Sequence, residues 1–274
     1  LEARKRDPMS VRNLDRMFQP ASLALIGASA RENSIGGVVL RNLKRAGFPG
    51  PLLLVNPRHS TLAGMPVYPD VASLPSTPDL AVIATPPQAV PELISALGSR
   101  GTRAAVVITA GFSELGAQGH ALQQAMLDAA RPHLLRIVGP NGLGIIVPGS
   151  HIDASFAHIA PHPGDLAFIS QSGAMITAVL DWAAPRTIGF SHIVSLGDMA
   201  DVDFGDMLDF LAVDGGTRAI LLYIEAVRDA RKFMSAARAA ARLKPVVVVK
   251  VGRYAESAKA ATSHTGSLAG SDAV

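Results

Sequence analysis

Short, uninterrupted runs of Val, Ile, Leu and Ala punctuate the chain, and each is followed by a longer, helix-compatible stretch. The runs at 23–26, 52–55, 80–84, 104–109 and 136–138 lack polar alternation, as expected of parallel strands buried on both faces. Helices are expected over 34–46, 87–100 and 114–130. The order βαβαβαβαβ predicts a doubly wound, Rossmann-like sheet over residues 10–149. Residues 1–9 are a polar lead-in and are left outside the fold.

Pro148-Gly149-Ser150 and Pro161-His162-Pro163-Gly164 then break the rhythm, so residues 150–164 are expected to form a linker. The alternation restarts with strands at 166–169, 190–195, 219–224 and 246–250. Helices at 173–184, 204–212 and 230–243 separate them. This is a second α/β unit of flavodoxin-like size, assigned to 165–274. Both sheets are expected to be mainly parallel.

Composition narrows the function. Apolar residues make up 49% of the 274 and aromatics 5%, so the cores must be aliphatic. The absence of cysteine removes disulfides, thiolate nucleophiles and cysteine-ligated metals. A formal charge of +3 on scattered basic residues gives no reason to expect a nucleic-acid partner. No apolar run approaches the roughly 18–20 residues of a membrane helix, so a cytoplasmic enzyme module is the expectation. His59, His120, His133, His151, His158, His162 and His192 show no metal-ligand spacing, and no metal site is expected.

Five places carry candidate chemistry. Gly27, Ala28 and Ser29, with Gly36 beyond, lie at the first strand-to-helix turn, which offers amides and a helix N-terminus to a phosphate. The G-x-G-x-x-G spacing is absent, and Arg58 and His59 stand where a ribose-binding acid would follow the second strand. NAD is thereby disfavoured against a more phosphorylated nucleotide. Ser170, Ser172 and Gly173 repeat the arrangement in the second unit. Glu225 ends a strand at the carboxyl edge, where it could orient an imidazole; Asp198 has a similar position. Asn141 follows the fifth strand, facing the crevice. Near the C-terminus His264 sits in a small-residue loop with Gly266, with room for a bulky group on its ring.

Gly139-Pro140-Asn141, Ser170-Gln171-Ser172-Gly173 and Ser263-His264-Thr265-Gly266, in this order, resemble the NDP-forming acyl-CoA synthetases, relatives of the succinyl-CoA synthetase α subunit. The resemblance implies a CoA-binding first domain and a second domain whose histidine is phosphorylated during turnover. It implies that Gly27, Ala28, Ser29 and Gly36 line the CoA phosphates and that Asn141 lies near the thioester. Arg58 or His59 stands where relatives place a CoA-contacting lysine. Ser170, Ser172, Gly173 and Gly266 would hold the phosphoryl group, His264 would carry it and Glu225 would orient the ring. Some relatives have cysteine where this chain has Gly142. The resemblance also implies a small carboxylic acid, Mg-ATP or Mg-GTP bound by an ATP-grasp domain or subunit, and homo- or hetero-oligomers. A rival reading is an acyl-CoA-sensing module of a GNAT-type lysine acetyltransferase.

Overall fold

The computed structural model describes residues 11–251. A short helix α1 (Leu14–Phe18) leads into β1 (Leu23–Ile26), α2 (Ile35–Ala46), β2 (Leu52–Val55), β3 (Thr61–Leu62), β4 (Met65–Tyr68) and β5 (Leu80–Ile83). Next come α3 (Val90–Arg100), β6 (Ala104–Val107), α4 (Gly116–Ala130) and β7 (Arg136–Val138). The first sheet runs β3-β4-β2-β1-β5-β6-β7, parallel except that β3 pairs antiparallel with β4. Leaving out β3, its strand order is that of a Rossmann fold, with the switch point between β1 and β5.

The second sheet runs β13-β12-β10-β11-β8-β9. It is made of β8 (Gly144–Val147), β9 (Ile152–Ser155), β10 (His162–Ser170), α5 (Gly173–Ala183), β11 (Gly189–Ser195), α6 (Phe204–Val213), β12 (Ala219–Ile224), α7 (Ala230–Ala241) and β13 (Val246–Lys250). The four strands β13-β12-β10-β11 are parallel and have a flavodoxin-like order, with its switch point between β10 and β12.

The stretch expected as a linker is a correction. Residues 144–155 form an antiparallel hairpin, and β8 pairs with β11, so the segment extends the second sheet. Pro148-Gly149-Ser150 is its turn, because the residues that suit a domain boundary also suit a chain reversal. Both hairpin strands are buried on both faces, since α2 of the first unit packs on β9. Asn42 Nδ2 donates to the Ser155 and Ala157 carbonyls at 2.9 and 2.8 Å, and Arg45 pairs with the buried Asp153 at 3.0 Å.

The two units share one hydrophobic core, which runs from Leu14, Phe18, Leu25 and Val106 to Ile145, Ile169, Val194 and Met207. Near the amino end of β7, Arg136 reaches Asp201 at 2.9 Å and the buried Asp206 at 3.2 Å. Lys232 closes the cluster on Asp203 and Asp206. Such a network fixes one sheet against the other at a desolvation cost that the aspartates offset.

Candidate active site

The first crevice lies at the carboxyl ends of β1 and β5. Gly27 has φ +92°, a conformation that side chains rarely adopt, and a Cβ on Gly36 would run into the Gly27 carbonyl oxygen. These two glycines let the N-terminal turn of α2 lie directly against the end of β1. Ser34 caps α2, its hydroxyl accepting from the Gly37 amide at 3.2 Å and donating to the Arg31 carbonyl at 2.7 Å. Ser29 Oγ accepts the Arg31 amide at 3.1 Å, and Ala28 is buried. Asn56 ties the next loop on, donating to the Ala28 carbonyl at 2.7 Å while its Oδ1 accepts the Arg58 amide at 2.8 Å. The turn is therefore an array of fixed amides at a helix N-terminus, which suits a phosphate. Arg58 is exposed and His59 half-buried at its rim. Arg31, exposed in the same turn, is a cation that sequence reasoning passed over. Its signal was its place two residues after the small hydroxyl of Ser29.

The second crevice lies at the carboxyl ends of β10 and β12. Ser170 is fully buried, accepting the Ser172 amide at 3.0 Å and donating to the Ser172 carbonyl at 2.8 Å. Ser172 caps α5, accepting from the Met175 amide at 3.3 Å, and Gly173 opens the helix. Between the serines, Gln171 reaches across to β12. Its Oε1 accepts the Glu225 amide at 2.6 Å and the Ala226 amide at 2.9 Å. Glu225 is 5% exposed, and its charge, after burial, contributes to raising the Tyr223 hydroxyl above its usual pKa. Gln171 was quoted within its motif but not read as a site residue. A polar side chain at the first position after a switch-point strand was the available signal. His264 and Gly266 lie outside the described residues.

The carboxyl edges of the two sheets meet. Asn141, in the left-handed region at φ 59°, donates from Nδ2 to Asp198 Oδ1 at 3.3 Å. Asp198, on the loop after β11, also accepts Ser113 Oγ at 2.5 Å. Burial pushes its carboxyl up; the bonds from Ser113 and Asn141 work against that, and Glu114 adds to it. Two residues beyond Asn141, the Leu143 amide donates to Ser195 Oγ at 2.8 Å. A Cβ on Gly173 would touch the Leu143 side chain at 3.4 Å. Asn141 is thus joined through Leu143 to the N-terminus of α5. The structure gathers Ser170, Ser172 and Gly173 in one turn, joins that turn to Glu225 through Gln171, and sets Leu143, two residues past Asn141, against Gly173. Gly27, Ala28, Ser29 and Gly36 gather with Arg58 and His59 at the other switch point. Among the described residues no cluster of His, Asp and Glu could hold a metal ion, and no helix is long and apolar enough to cross a membrane.

Residues 21–148 match a family described as a CoA binding domain, and residues 163–274 one described as a succinyl-CoA ligase-like flavodoxin domain. An ADP-forming acetate–CoA ligase I of Archaeoglobus fulgidus is 45% identical over 94% of this chain and 37% of its own length. The α subunit of an ADP-forming acetate–CoA ligase I of Pyrococcus furiosus is 41% identical over 96% of this chain and 58% of its own. The structure of a dinucleotide-forming acetyl-coenzyme A synthetase 1 of Ca. Korarchaeum cryptofilum, in complex with phosphate and ADP, superposes with a TM-score of 0.88 at 39% identity. That match covers 94% of this chain and 55% of that one. The chain therefore spans between about a third and three fifths of the length of these relatives.

Proposed function

Because this chain belongs to the NDP-forming acyl-CoA synthetase family, carrying its CoA-binding and succinyl-CoA ligase-like domains, we propose that it is the CoA-binding and phosphohistidine-carrying part of such a ligase. The overall reaction is acid + CoA + NTP to acyl-CoA + NDP + phosphate. In the acyl-CoA-consuming direction, phosphate displaces the CoA thiol to give an acyl phosphate. The His264 imidazole then takes the phosphoryl group and releases the acid. The phosphohistidine finally hands the phosphoryl to NDP on an ATP-grasp domain or subunit, with Mg-ATP or Mg-GTP as the NTP. Relay through a covalent histidine splits one transfer into two easier ones.

In this reading CoA lies with its phosphates at Gly27–Ser29 and Gly36, with Arg58 or His59 at the rim, and its thioester toward Asn141. The carboxylate of Glu225 accepts one ring N–H of His264 and leaves the other nitrogen nucleophilic. The capped N-terminus of α5 at Ser172 and Gly173, with Ser170 and Gly266, receives the moving phosphoryl group. The observation that supports the proposal is that Leu143, two residues past Asn141, lies against Gly173 at the start of α5, while Gln171 ties the same turn to the Glu225 backbone. The acetyltransferase-linked sensor is not favoured, since the relatives above are ligases by name.

Incubating the full-length protein, with its ATP-grasp part, in Mg-ATP and weighing it intact at alkaline pH tests this. The expected result is one acid-labile phosphate on the peptide carrying His264. His264→Ala removes both the label and ligase turnover, with CoA affinity in calorimetry unchanged. Full turnover by His264→Ala overturns the relay. A wild type that binds CoA but acquires no phosphate with either nucleotide returns the chain to the sensor reading.

A further inference from the structure

Resting on that ligase reading, we infer that Asp198 is a positioning residue, which fixes the carboxamide of Asn141 in one orientation toward the reacting acyl group. Three loops converge on its carboxylate: Ser113 after β6, Asn141 after β7, and its own loop after β11. Ser113 Oγ donates to it at 2.5 Å and Asn141 Nδ2 at 3.3 Å. The backbone of the same loop is pinned, the Asp198 amide donating to the Pro140 carbonyl at 2.9 Å and the Ala200 amide to the Gly139 carbonyl at 3.0 Å.

A carboxylate only accepts hydrogen bonds, so it binds the NH2 end of an asparagine and rejects the oxygen end. Asn141 then turns its Oδ1 and its second N–H away from Asp198. A neutral amide at 198 would hold Asn141 equally well in either sense, because it offers both a donor and an acceptor. This accounts for a charge at a position only 7% exposed, where burying it is costly. Ser113 and Asn141 donate to Asp198, while Glu114, the neighbouring acid, is itself held by the Gly111 and Phe112 amides.

A bare structural strut is the competing account. The domains are already joined by the shared core, by Arg136 with Asp201, and by Asn42 with the β9 end, so the loss of one carboxylate charge at 198 should leave the fold intact. The two accounts separate in a double-mutant cycle on the full-length enzyme with its ATP-grasp part. The variants are Asp198→Asn, Asn141→Ala and the double. Asp198→Asn is expected to lower kcat roughly ten-fold, the scale of a misplaced reacting group, with the KM for CoA within about two-fold. The double variant is expected to be no slower than Asn141→Ala alone, since residues that act through one another do not add. Losses that multiply, an Asn141→Ala variant as fast as wild type, or a change seen only in the melting temperature would each overturn the inference. A wild type that makes no acyl-CoA refutes the ligase reading and takes this inference with it. An active wild type with multiplying losses refutes this inference alone.

Discussion

At the switch point of the first sheet the walls are mainly backbone, whereas at that of the second they are side chains. Gly27 and Gly36 bring the end of β1 and the start of α2 within contact, and the surface left over is amides and a rim of exposed cations. At the second, Ser170, Gln171 and Glu225 are all buried, and they interlock β10 with β12 through the 2.6 Å bond from the Glu225 amide to Gln171. A ligand whose phosphates are held but not altered needs donors in fixed places, which backbone supplies with little reorganisation. A phosphoryl group that changes hands needs a partner ring whose charge can vary, and only a carboxylate or similar side chain can follow that. On the proposed function, the difference between the crevices is the difference between holding and transferring.

The sharpest way to break this comparison is at the backbone wall. Gly36→Val would drive its Cβ into the Gly27 carbonyl oxygen, and neither backbone can yield without moving β1 or α2. The expected cost is about 3 kcal/mol of unfolding free energy or more, together with loss of CoA binding. Urea denaturation and calorimetry read both. Wild-type stability and affinity in this variant would mean that the close approach does not shape the site.

A smaller effect is expected at the side-chain wall. Glu225→Gln keeps the size of the side chain, and the backbone amide at 225 keeps its bond to Gln171. The fold and CoA affinity should be unchanged, while the rate of phosphate incorporation on the full-length protein falls on the order of 10–100-fold. Rapid-quench labelling measures it. An unchanged rate would remove Glu225 from the role of orienting group.

The same contrast explains what could be read from sequence. Parallel strands announce themselves as apolar runs, so β1, β2, β7, β12 and β13 were legible with matching bounds, β5, β6 and β11 to within one or two residues, and β10 apart from its first four residues and its last. β13 is apolar although Val247, Val248 and Val249 are exposed among the described residues. The edge strand β3 and its neighbour β4 were not legible, because a two-residue strand and Met65–Tyr68, with Pro66 inside it, have neither length nor periodicity. The hairpin β8–β9 was lost because its turn looks like a linker. What buries it, Asn42 and Arg45 on α2, lies more than 100 residues earlier in the chain. The glycine turns and the Ser170–Gly173 turn were visible because their chemistry is local. Gln171 and the pairing of Asp198 with Asn141 act between strands and between sheets, and local sequence carries little trace of them. His264 has the most distinctive sequence context and lies outside the described residues.

The finest comparison is between the two caps, since Ser34 and Ser172 make nearly the same bond. Ser34 accepts the Gly37 amide at 3.2 Å and Ser172 the Met175 amide at 3.3 Å. Replacing either by alanine should cost about 1 kcal/mol of stability, the usual worth of an N-cap. Ser34 should lose slightly more, because its hydroxyl also donates to the Arg31 carbonyl at 2.7 Å. The functional consequences should part. Ser34→Ala loosens the turn proposed to order the CoA phosphates and is expected to weaken CoA binding by a few-fold without touching phosphorylation. Ser172→Ala is expected to leave CoA binding alone and to slow phosphorylation by a few-fold only, because the Gly173 and Ala174 amides still face the anion when the hydroxyl is gone. Calorimetry and phosphate labelling on the same two proteins decide it. If each variant weakens both activities alike, the caps serve only the fold, and the division between a holding crevice and a transferring crevice fails at this level.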